Sequence, residues 1–205
     1  MRHILLPALF LLFAISIYGQ TDNPPPQSCT LKLSQAPAVR GVKLGMTVDD
    51  LLALFPGSSD SGGIQHALSA ADGYSNFGAA AFSISPSDWP NKERYAGISH
   101  YYIRLFDRRI VAFDVNYESF PVGPRWKTAD ELIQRFSDSL HLPGSKDWIP
   151  DPNVTGKRLK CDGFEVFVSS DSDRSVISFR NRSWVQTQRD RLAAFEDQKR
   201  REFKP

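Results

Sequence analysis

His66, His100 and His141 are the side chains best suited to general-base chemistry in this chain, leaving aside His3 in the leader. A hydrolase would need one of them beside a nucleophile, with a third group to orient it. His66 has the densest company, with Asp60, Asp72 and several serines nearby in the chain. No GxSxG, HExxH or glycine-rich phosphate motif surrounds any of the three. An exported hydrolase centred on His66 is therefore the alternative reading, not the leading one. Cys29 and Cys161 stand alone, without a CxxC or a histidine pair at ligand spacing. Zinc and redox chemistry are not expected of them. No metal and no cofactor are expected.

The acidic pairs Asp49-Asp50 and Asp130-Glu131 offer paired-carboxylate chemistry, but their setting points to structure. Thr47-Val-Asp-Asp-Leu-Leu-Ala-Leu-Phe55 aligns with Thr128-Ala-Asp-Glu-Leu-Ile-Gln-Arg-Phe136. In each copy the threonine can cap a helix, and the acid three residues on can reach back to the cap. Acids in the first turn also suit the positive end of the helix dipole. Val48, Leu51, Leu52 and Phe55 then form one apolar stripe, and Leu132, Ile133, Phe136 and Leu140 form another. Pro56-Gly57 closes the first helix, and Pro143-Gly144 lies just past the second.

A second echo lies downstream, where Asp107-Arg-Arg-Ile-Val-Ala-Phe113 aligns with Asp173-Arg-Ser-Val-Ile-Ser-Phe179. Strands are expected before each, over Tyr95 to Phe106 and Gly163 to Ser170, so each half reads helix, then antiparallel hairpin. Period-two alternation turns Tyr101, Ile103 and Leu105 inward with Val111, Phe113, Val115 and Tyr117. A three-residue turn at Asp107-Arg108-Arg109 then pairs Leu105 with Val111, Ile103 with Phe113 and Tyr101 with Val115. The opposite face carries His100, Tyr102 and Arg104 against Asn116, Asp114 and Ala112, with Glu118 beyond. In the second hairpin Val166 faces Phe179, Val168 faces Ile177, and Glu165 opposes Arg180 as a cross-strand charge pair across a loop at Asp171 to Arg174. The insert SSDSGGIQHALSAADGYSNFG reads as a long exposed loop, followed by a strand within Gly78 to Ser85.

The chain opens MRHILLPALFLLFAISIYGQ, a basic start and a short apolar run that suit a secretory signal, with cleavage expected near Gly19. A secreted or periplasmic protein is expected, with no transmembrane span after cleavage. In that setting Cys29 and Cys161 are expected to form one disulfide. The charge balance, 25 basic against 23 acidic side chains, excludes nucleic acid as a dominant electrostatic partner. Hydrophobic content of 41% supports a folded core. The organisation read from these features is a signal over 1–19, a Pro-rich segment over 20–40 and helix-plus-sheet repeats over 41–120 and 121–183. A charged C-terminal helix over 184–205 completes it. The tail's narrow stripe of Trp184, Val185, Leu192, Phe195 and Phe203 suits a helix resting on the domain. Asn153-Val-Thr and Asn181-Arg-Ser fit the glycosylation sequon, as chance alone would allow.

The run GVKLGMTVDDLLALFPG, with its Gly-Met-Thr helix start followed by a hairpin, resembles the SmpA/OmlA (BamE-like) outer-membrane assembly lipoproteins. The duplicated arrangement is similar to the tandem helix-plus-sheet fold of the beta-lactamase inhibitor proteins. The resemblance covers the two helix starts and two hairpins, and the chain lacks a lipid-bearing cysteine at the signal's end. It implies a small exported α+β scaffold that binds other proteins without catalysis. The expected function is thus a monomeric interaction module of the cell envelope. Its expected binding face is His100, Tyr102, Arg104, Asp114, Asn116 and Glu118, and its partner an envelope or extracellular protein. A small-ligand or lipid binder using a sheet cavity is a further alternative.

Overall fold

The computed structural model describes residues 29–72, 76–118, 122–123, 126, 128–152, 155–170 and 175–203. The expected signal, the Pro24-Pro25-Pro26 run, Asn153 and the loop at Asp171 to Arg174 lie outside these. Helices α1 (Val48–Ala53) and α2 (Gly62–Ala71) precede strands β1 (Ala79–Ile84), β2 (Ile98–Phe106) and β3 (Arg109–Tyr117). Helix α3 (Ala129–Leu140) precedes β4 (Ile149–Pro150), β5 (Lys157–Lys160), β6 (Glu165–Ser170) and β7 (Ser175–Arg180), and α4 (Ser183–Glu202) follows. The strands form one antiparallel sheet in the order β1-β2-β3-β7-β6-β5-β4. The fold is α+β, as the alternation of helical and period-two patterns implies.

Both expected caps form. The Thr47 hydroxyl accepts a hydrogen bond from the Asp50 N–H, and the Thr128 hydroxyl from the Glu131 N–H, each at 3.2 Å. Val48, Leu51 and Phe55 are fully buried, and Leu132, Ile133 and Phe136 are buried. Leu52 and Leu140 sit at the margin of the same core. Phe55 stacks on Tyr95 at 4.7 Å and meets the Tyr101 ring edge-on at 5.9 Å, while Phe136 lies against Phe179. Helices α1 and α3 therefore cover the same face of the sheet. Burial pushes the Tyr101 phenol up, and its hydroxyl donates to the Val39 carbonyl at 3.3 Å. The chain leading into α1 is itself tied to the sheet, because Ile110 N–H bonds the Met46 carbonyl and Gly45 N–H bonds the Ile110 carbonyl.

The first hairpin corrects the expected turn. Tyr101 opposes Val115, Ile103 opposes Phe113 and Arg104 opposes Ala112, as alternation requires, but Leu105 opposes Ile110 and Phe106 opposes Arg109. The turn has two residues, Asp107 and Arg108, at φ 48° and 58°. Positive φ at both positions is what a type I′ turn demands. Val111 is left unopposed as a bulge, and that extra residue restores the phase that a two-residue turn would otherwise break. Arg108→Gly relieves left-handed strain at the second turn position at the cost of one exposed ion pair to Asp49. It is expected to raise stability by about 0.5–1 kcal/mol, read as a higher urea midpoint at unchanged slope.

In the second hairpin Val166 opposes Phe179, Val168 opposes Ile177 and Glu165 opposes Arg180, as expected. The two hairpins meet where β3 pairs with β7, and there Phe113 sits directly opposite Phe179. Their rings stack at 4.7 Å and 14°. A single hydrophobic cluster runs through both halves. Cys29 and Cys161 form the expected disulfide, beside a bridge between Lys32 and Asp162. The long insert is not simply a loop. It contains α2, whose Ile64, Leu68 and Ala71 are buried at helical spacing, and α2 packs along β1. The strand expected within Gly78 to Ser85 is β1.

Candidate functional site

The sheet face turned away from α1 and α3 carries the residues that alternation assigned to it. Tyr102 opposes Asp114 and His100 opposes Asn116, and Tyr102 is 36% exposed. Arg104 pairs with Asp114 at 3.0 Å and places its guanidinium 5.2 Å from the Tyr102 ring centre. Only one oxygen of Asp114 is used this way. Its Oδ1 is buried and meets no hydrogen-bond donor among the described residues. Asn116 is 3% exposed, so it supports the face from beneath and presents nothing to a partner. Glu118 lies just past β3, where its N–H bonds the Gly97 carbonyl.

The three histidines lie on separate elements of the fold. His66 is exposed on α2, and among the described residues it shares no hydrogen bond with an acid or a hydroxyl. His141 is the left-handed residue that ends α3. His100 Nδ1 lies 3.1 Å from the Ser99 hydroxyl, but that hydroxyl also lies 3.0 Å from the Asn116 carbonyl. Ser99 donates to that carbonyl, a contact within the sheet. The described residues contain no group of three or more metal-ligating side chains, and no helix long and apolar enough to cross a membrane.

Helix α4 crosses one end of the same face. Trp184 packs on Phe106 and Phe195 on Phe77, both at 5.6 Å. Gln188 donates to the Asn76 carbonyl at 3.2 Å. Arg191 grips Asp107 with two hydrogen bonds, of 2.7 and 2.8 Å, and those bonds hold its guanidinium above its ordinary pKa. The backbone at Gly78 has a left-handed φ of 92° that favours glycine, and a Cβ there would crowd the Asp107 carboxylate and the Arg191 guanidinium. The seat is thus Trp184, Gln188, Arg191 and Phe195. Leu192 and Phe203 from the expected stripe stay exposed, Phe203 at 75%. Hydrophobicity alone could not mark a seat made half of polar residues.

Between the first turns of α4 and the sheet lies a groove of about 450 Å³, lined by Arg104, Ala112, Arg180, Arg182, Trp184 and Arg189 among others. The expected Glu165–Arg180 ion pair is in register but does not form. Glu165 instead engages Arg182 at 2.8 Å and Arg158 at 3.5 Å.

No family model, curated protein or solved structure matches the chain.

The site is therefore read from its own geometry. Trp184 and Arg189 are the residues that strand alternation could not have found, whereas it placed Arg180 correctly on the outer face and wrongly as the partner of Glu165. A signal for them exists in the sequence at the start of α4: Arg180 and Arg182 precede a helix with no acid in its first turn, unlike α1 and α3.

Proposed function

We propose that this chain is an exported, noncatalytic protein-interaction module of the cell envelope. It binds a protein partner on the outer sheet face, around Tyr102, Arg104 and Asp114. The observation that carries this reading is the exposed Tyr102 ring with the partly exposed Arg104 guanidinium over it, held there by Asp114. Tyr and Arg are the residue types that anchor interfaces. The scaffold beneath is a duplicated helix-plus-sheet unit. Support for the duplication comes from the matched caps at Thr47 and Thr128 and from the aligned phenylalanines Phe113 and Phe179, which oppose each other at the β3–β7 seam.

The test uses the chain without residues 1–19 as bait on an extract of its own cell envelope. A stoichiometric protein partner is expected, with Tyr102→Ala and Arg104→Ala each weakening it by about tenfold or more. A captured partner indifferent to both substitutions would remove this face from the proposal.

A further inference from the structure

The start of α4 departs from the pattern of the other capped helices. At α1 and α3 a threonine caps and two acids occupy the first turn. At α4 the N-cap is Arg182, without a side-chain cap bond and with no acid in the first turn. Asn181 supplies a local substitute, its Oδ1 accepting from the Ser183 N–H at 2.9 Å and from the Ser183 hydroxyl at 2.8 Å. Arginines at the positive end of a helix repel its dipole, so this local choice costs stability.

Of the arginines around this helix start, only Arg182 is neutralised by a nearby acid among the described residues. Asp114 is paired to Arg104, and Glu165 to Arg182 and Arg158. Arg180 and Arg189 make no ion pair among the described residues, and Arg180 Nε is buried without an acceptor. Both line the 450 Å³ groove. Past Arg104 and Trp184, which border both, a second depression of about 430 Å³ continues along β1. Its lining includes five alanines, Ala79, Ala80 and Ala81 from the strand and Ala67 and Ala70 from α2, together with Leu105 and the polar His66 and Asn76.

We infer that this two-part trough binds an extended acidic segment of a partner protein. Its carboxylates would lie on Arg180 and Arg189, and an apolar side chain would lie over the alanine shelf beside Trp184. Guanidinium forks match carboxylates in geometry as well as charge, and Arg180 stands just before the positive end of α4. The alanines leave room for a side chain that a bulkier strand would fill. The inference rests on the protein-interaction reading above and names the chemistry of the segment bound.

The test is fluorescence anisotropy on the chain without residues 1–19, with a labelled peptide alternating Glu and Leu, against its Gln-Leu counterpart. The Glu peptide is expected to bind at least tenfold more tightly. Arg180→Gln with Arg189→Gln should abolish that preference, and Arg189→Glu alone should cut it several-fold if the double variant folds poorly. Arg200→Gln with Arg201→Gln makes the same charge change far along α4 and should leave binding intact. Equal binding of the two peptides, or equal loss in the control pair, would overturn the proposal. Full displacement by millimolar inorganic phosphate would also overturn it, marking a small-anion site. The two readings separate in the envelope capture. A partner lost with Tyr102→Ala but kept by the Arg180/Arg189 variant leaves the interaction module standing and removes the trough. Peptide binding at the trough without any captured partner does the reverse.

Discussion

Reducing the Cys29–Cys161 bridge, or replacing both cysteines with serine, is expected to cost about 4–5 kcal/mol of stability. The cross-link joins residues 132 apart in sequence, and in the chain-entropy account a loop of that size removes much freedom from the unfolded state. The native side gives a second reason. Cys29 is buried in the core cluster, and beside it the Lys32–Asp162 bridge and an Asp162 N–H bond to the Leu31 carbonyl at 3.0 Å join the same two segments. For a chain of this length the midpoint of a thermal melt should fall by roughly 10–20 °C when reductant is added. A shift of roughly 2–3 °C or less would mean that the unfolded chain is already restrained around these positions.

Phe113→Ala and Phe179→Ala are each expected to cost about 3–5 kcal/mol, measured as a drop in urea midpoint. Both side chains are fully buried, and they sit opposite one another where the hairpins join. Either truncation leaves a cavity at the seam, bounded by backbone that cannot collapse without breaking strand pairs. Phe136 rests on Phe179 as well, so Phe179→Ala should be the costlier of the two. Because the rings stack, the double variant should fall short of the sum by about 0.5–1.5 kcal/mol. Strict additivity would show that the stacking is incidental and only the buried area matters.

Much of this architecture was legible before any coordinates. Threonine caps with acids behind them marked α1 and α3, and strict alternation set the faces of both hairpins, because these signals are local. What failed depended on more distant neighbours. Helix α2 was hidden by the Gly-Gly and serines around it, although Ile64, Leu68 and Ala71 keep the helical period. The bulge at Val111 was missed because alternation assumes an unbroken count. Alternation placed Asn116 on the outer face but could not say that surrounding strands bury it. Arg180 was expected to pair with Glu165, and only the arrival of Arg158 from β5 and Arg182 from the start of α4 shows why it does not.

The strand order carries one more consequence, and it concerns time. Strand β7 lies at the middle of the sheet yet is the last strand to be made. Until it arrives, β3 has β2 on one side and, along Ala112 to Asn116, no strand on the other. That open edge includes Phe113 and Val115, both fully buried in the finished protein. A chain stopped short of Ser175 would expose an apolar strand edge able to recruit another strand. The sheet thus stays open at its centre until the last strand slots in.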